Sequence, residues 1–195
     1  MRPRTKILIV ASFLAALPTA ASAHTGVGSV FGFSSGLLHP LGGLDHLLAM
    51  FAVGLLAAQL GGRAIWLVPT TFVSVMALGA LAGFVGMPLP GAEYGILLSV
   101  IMIALPVAFA FGMPTIVAMA LVGIFAVFHG HAHGAEIPTD AHAGTYVVGF
   151  ALTTALIHVA GVGLGLTLGR LAAGAPALRL AGGAIVLAGC MLALG

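Results

Sequence analysis

The chain has 195 residues, of which 61% are hydrophobic and only 5% charged, where a soluble domain is roughly a quarter charged; the mean hydropathy is +1.24. That balance excludes an ordinary soluble fold and leaves too little polar sequence for a separate aqueous domain, so a single all-α bundle built for lipid is expected. The formal charge of +2 belongs to the first few residues: with Arg2, Arg4 and Lys6 set aside, three arginines face four acids, 3 − 4 = −1, and a nucleic-acid partner loses its electrostatic support.

In chain order, residues 1–23 read as a cleavable secretory signal, with Arg2, Arg4 and Lys6 as the basic start, Ile7 to Leu17 as the apolar stretch and Ala21-Ser22-Ala23 as the cleavage site. Taken instead as an uncleaved helix, that stretch is short for a membrane span. Cleavage would leave His24 as the first mature residue, its α-amine and imidazole forming a chelating pair. The remainder, 24–195, reads as one six-helix transmembrane domain, with apolar runs near 37–60, 64–87, 94–111, 114–130, 144–169 and 177–194. As a single helix, Tyr94 to Phe128 would be about 52 Å long, and Gly112-Met113-Pro114 supplies the turn that divides it.

Charge orients these runs. Cleavage puts the mature N-terminus outside a bacterial inner membrane, and six crossings return the C-terminus to the periplasm. The cytoplasmic loops then contain Arg63, Arg170 and Arg179, while Glu93, Glu136, Asp140 and Asp45 fall at the outer side, as the positive-inside rule requires. Gly161, Gly165 and Gly169, and Gly79 with Gly83, recur every four residues and suit close helix packing. Cys190, the one cysteine, reads as packing.

Polar residues inside a membrane are expensive and point to function. The first group is HPLGGLDHLLAM, His39 to Met50. Pro40 suits the first turn of a helix; on a continuous helix His39 and His46 would share a face beside Asp45, with Met50 following at i+4. Imidazole donors favour Ni, Co, Cu or Zn over Mg or Ca. The second group is FHGHAHGAE, residues 128–136. If it is helical, His129, His133 and Glu136 lie on one side and His131 points elsewhere. If Gly130 and Gly134 break the helix, the alternation of 129, 131 and 133 becomes the relevant spacing. His158 falls ~20 Å into its helix, near mid-membrane, where a packed histidine and an ion station are equally consistent. His142, near Asp140, reads as solvated. There is no HExxH and no nucleotide-binding loop, so neither a zincin protease nor an ATPase is supported.

Both groups together resemble the signature motifs HPxxGxDH and FHGxAHGxE of the HupE/UreJ family of small membrane proteins. The resemblance implies a nickel permease associated with hydrogenase or urease maturation and not an enzyme. It implies metal-site roles for His39, Asp45, His46, His129, His133 and Glu136, and leaves His131 at a variable position. His24, Met50, His131 and His158 are secondary metal candidates. The expected partners are the transported Ni(II) or Co(II) and the bilayer, with no resident cofactor and with homo-oligomerisation left open. Two other readings compete: a b-type cytochrome using His46, His129 or His158 as axial ligands, and a membrane metal sensor or metallochaperone that does not transport.

Overall fold

A computed structural model describes residues 32–137, 142–170 and 174–194. The signal segment, His24 and Asp140 lie outside the described residues. Among these, the chain forms α1 (Gly32–Leu38), a 3-10 turn (His39–Leu41), α2 (Leu44–Leu60), α3 (Ala64–Phe84), α4 (Ala92–Ala108), α5 (Thr115–Ala135), α6 (Ala143–Gly169) and α7 (Gly174–Leu194), with no strand.

The helices are apolar all round, as lipid on one side and protein on the other require. In α3, Val68, Phe72 and Met76 are buried while Trp66, Leu78 and Leu81 face outward. Four helices (α3, α5, α6 and α7) are long and apolar enough to cross a membrane, so the chain is a multi-pass membrane protein. With 17 residues, α4 is about 25 Å long, under the ~30 Å of a full hydrocarbon core.

The first apolar run differs from a continuous helix over 37–60. Pro40 lies in the 3-10 turn, the Gly42 amide donates to the His39 carbonyl at 3.0 Å, and Gly43 is extended, with φ −110° and ψ 120°. The segment Gly32–Leu41 and α2 are therefore bent by 79° at the break. The local sequence permits the break: proline offers no N–H to continue the ladder, and Gly43 leaves helical geometry at little cost after Gly42, which is still helical. Counted as one broken span, this pair brings the total among the described residues to five.

At its far end the second motif resolves in favour of helix. Gly130 and Gly134 do not break α5; they pack it against α3. A Cβ on Gly130 would overlap the Met76 carbonyl, one on Gly134 the Ala80 carbonyl, and one on Gly83 the His131 carbonyl. Backbone thus meets backbone along the pair, the close approach that small residues permit in a membrane bundle. Gly161 packs in the same way on Gly54 and the Phe51 carbonyl, and Gly165 on Ala58, but Gly169 meets only open space. The row of three is therefore a contact row of two.

From α2 onward the helices alternate in direction. Gly95 at the start of α4 lies against the Phe128 ring near the end of α5, while Gly182 of α7 lies against Val107 and Ala108 at the end of α4. Asp45, Glu93 and Glu136 consequently share one end of the bundle, and Arg63, Arg170 and Arg179 the other.

Candidate metal centre

The break between the 3-10 turn and α2 delivers His39 and His46 to the end of the bundle where α5 terminates. His39 Nε2 donates to Glu136 Oε2 at 3.0 Å, tying the turn to the residue that caps α5. This bond holds the Glu136 carboxyl below its ordinary range, outweighing the opposing effect of partial burial. In the first turn of α2, Asp45 Oδ1 accepts the His46 backbone amide at 2.7 Å and lies 2.9 Å from His46 Nδ1.

His129 and His133, one turn apart on α5, are both fully buried. Their rings complete the cluster. His46 lies 4.8 Å from His129 and 4.8 Å from His133, and His39 lies 4.7 Å from His133, measured between centroids. Phe150 stacks on His133 at 4.9 Å, and Tyr146 packs beside His39 at 5.7 Å.

Hydrogen bonding assigns the tautomers of two rings. His46 Nδ1–H is donated to the Asp45 carboxylate, so Nε2 carries the lone pair. The Ser99 hydroxyl donates to the Ile96 carbonyl, so its oxygen accepts from His129 Nε2 at 2.8 Å and leaves the lone pair on Nδ1. Those two nitrogens, and both nitrogens of His133, are buried without a hydrogen-bond partner among the described residues. A buried polar group left unpaired costs about 1–3 kcal/mol. Three rings of one cluster carrying that cost together is the arrangement expected where neutral imidazole lone pairs serve a cation. Among the described residues no three His, Cys, Asp or Glu side chains already form a group that could hold a metal ion. The rings are packed on one another, and ligation requires them to turn.

Six residues singled out from the motifs are thus brought together: His39, Asp45, His46, His129, His133 and Glu136. Others are not. His131 points to the opposite side of α5, where its Nε2 donates to the Met87 carbonyl at 2.6 Å. Met50 is fully buried in the apolar core. His142 is exposed at the start of α6. His158 is buried deeper, edge-on to Phe72 at 5.2 Å; the same ring lies 5.4 Å from His129, so Phe72 stands between the cluster and His158. Both His158 nitrogens are without a hydrogen-bond partner among the described residues, and the residue lines a cavity of about 380 Å³ with Trp66, Pro69, Thr70 and Ser74.

The motifs gave no notice of Ser99, Phe72, Tyr146 or Phe150. Ser99 left a signal, a lone hydroxyl within an apolar run; the aromatic residues left none, because phenylalanine in such a run is indistinguishable from core.

The fold and the cluster define a class: an all-helical, multi-pass membrane protein that brings four histidines, an aspartate and a glutamate together at one end of its bundle. Comparison with known proteins narrows the class. A family model described as HupE / UreJ protein matches residues 12–192, and the chain is 50% identical over 181 residues to Protein HupE of Rhizobium leguminosarum bv. viciae, covering 92% of this chain and 93% of that relative. The chain belongs to the HupE/UreJ family. No solved structure matches it.

Proposed function

We propose that the protein is a permease for a divalent transition metal, Ni(II) in the first place and Co(II) in the second, that takes the ion from the periplasm and supplies hydrogenase or urease maturation. The observation that carries this reading is the cluster of unpartnered imidazole nitrogens of His46, His129 and His133, flanked by Asp45 and Glu136. Imidazole supplies the borderline donors that nickel and cobalt prefer, and the two carboxylates offset the charge of the ion as it loses water. Asp45 bonded to His46 is the carboxylate–imidazole pairing that orients a ligand and raises its basicity.

The separation of acids and arginines to opposite ends supports an inner-membrane orientation with the cluster outward and six crossings, counting the bent first segment and the short α4. On this reading both mature termini are periplasmic. The ion displaces ring–ring contacts, is held by rotated imidazoles, and passes inward by way of Phe72 and His158. A haem protein is less well supported, since its histidines would need to face a porphyrin and these face one another and two carboxylates.

The test is uptake of radioactive nickel by cells expressing wild type or single alanine variants at His39, Asp45, His46, His129, His133 and Glu136, normalised to membrane abundance. Loss of uptake at normal abundance is expected for each. Normal uptake by Asp45→Ala and His46→Ala would overturn the site.

A further inference from the structure

At the arginine end of the bundle lies a second cavity, of about 450 Å³, lined among others by Gln59, Ala110, Leu178, Arg170 and Arg179. Its charged groups are of one kind. Arg179 Nε donates to the Ala108 carbonyl at 3.3 Å, which leaves its terminal nitrogens available, and Arg170 reaches the cavity from the end of α6. Gln59 Nε2 donates to the Pro106 and Phe111 carbonyls at 3.0 and 3.1 Å, staples α2 to the end of α4, and keeps its buried Oε1 without a partner among the described residues. Among the described residues no carboxylate pairs with either arginine; Asp45, Glu93 and Glu136 are at the opposite end. Two guanidiniums lining one cavity without a counter-charge among the described residues suit an anion, and their planar donors match phosphate oxygens.

The surroundings indicate where that phosphate comes from. Phe109 and Phe111, stacked at 5.6 Å, flank Ala110, and with Leu166 and Leu180 they present exposed apolar side chains beside the cavity. A free anion has no use for such company, whereas an anionic phospholipid places its phosphate in the cavity and its acyl chains along these residues. We propose that Arg170 and Arg179 form a binding site for the phosphate of an anionic phospholipid headgroup. It stands on cavity, charge and exposure at the end remote from the histidine cluster, and does not rest on the metal reading.

The test is binding of fluorescently labelled phosphatidylglycerol to the full chain purified in neutral detergent. Competitors are unlabelled phosphatidylglycerol, phosphatidylcholine and inorganic phosphate. Unlabelled phosphatidylglycerol should compete and phosphatidylcholine should not. R170Q and R179Q should each weaken binding about fivefold and together about 25-fold, while R63Q, at the same end but outside the cavity lining, should bind as wild type. Wild-type affinity in the double variant, or equal competition by phosphatidylcholine, would overturn the proposal. Competition by inorganic phosphate at the same concentration as phosphatidylglycerol would make this a free-anion site and overturn the lipid occupant. If R179Q does not fold, having lost its bond to Ala108, R170Q alone decides: fivefold weakening supports the site and unchanged binding refutes it.

Discussion

Substitution of Asp45 by asparagine separates the charge of this residue from its geometry. The carboxylate accepts two bonds from His46, one from the backbone amide and one from Nδ1, and an asparagine oxygen can accept both, so the turn into α2 and the His46 tautomer are preserved. What is lost is charge assistance. A hydrogen bond to a charged group contributes about 1.5–3 kcal/mol against about 0.5–1.5 for a neutral one, a difference of about 1–1.5 kcal/mol, or roughly five- to thirteenfold in an equilibrium constant. Asp45→Asn should therefore raise the nickel concentration for half-maximal uptake about tenfold. Asp45→Ala, which also frees the imidazole to turn, should do worse, towards the ~100-fold seen when outer-shell partners of metal ligands are removed. The assay is initial uptake rate against external nickel in cells matched for membrane abundance. Wild-type concentration dependence in Asp45→Asn, or an Asp45→Ala variant no worse than Asp45→Asn, would refute the reasoning.

Four further outcomes are expected. Uptake should decline once external pH has fallen far enough to protonate the cluster, since only neutral imidazole binds metal. Glu136, held below the usual carboxylate range, contributes stability that is present above the ordinary carboxylate value and lost only as pH falls through the lowered one. A decline that sets in above the ordinary carboxylate range of about 4 therefore belongs to imidazole protonation; uptake by proteoliposomes that stays flat from neutral pH down to that range would count against imidazole ligation. His131→Ala, whose ring faces the Met87 carbonyl, should keep uptake within about twofold of wild type, whereas His133→Ala should lose it, a contrast read in one transport experiment. Ser99→Ala strips His129 Nε2 of its acceptor at a cost of about 1–3 kcal/mol and should lower both uptake and the thermal midpoint in detergent. Gly134→Val drives a side chain into the Ala80 carbonyl and should destabilise the α3–α5 pair by at least the ~1–3 kcal/mol typical of overpacking, measured as a fall in thermal midpoint.

The helical class, and the gathering of six polar residues at one end, were legible in the sequence because hydropathy and charge asymmetry are properties of the chain itself. The exclusion of His131 was legible only as a conditional. The i, i+4 spacing of His129 and His133 holds on a helix, but Gly130 and Gly134 could equally have broken one. Their role depends on the facing helix: α3 supplies the carbonyls of Met76 and Ala80 at the points where only glycine fits, and no local pattern in α5 announces that. The bend at Gly42-Gly43 was hidden for a related reason. Proline near a helix start is compatible both with a clean first turn and with a separate 3-10 turn, and the choice is made by tertiary contacts, among them the bond from His39 to Glu136. Ser99 needed the structure to find its partner, 30 residues away.

The central claim, that the histidine cluster conducts metal across the membrane, is tested most directly by purified protein in liposomes enclosing a nickel-sensitive dye. Wild type should give saturable nickel influx that His46→Ala and His133→Ala abolish. Tight nickel binding by the wild-type protein with no influx, or influx unchanged in both variants, would contradict it.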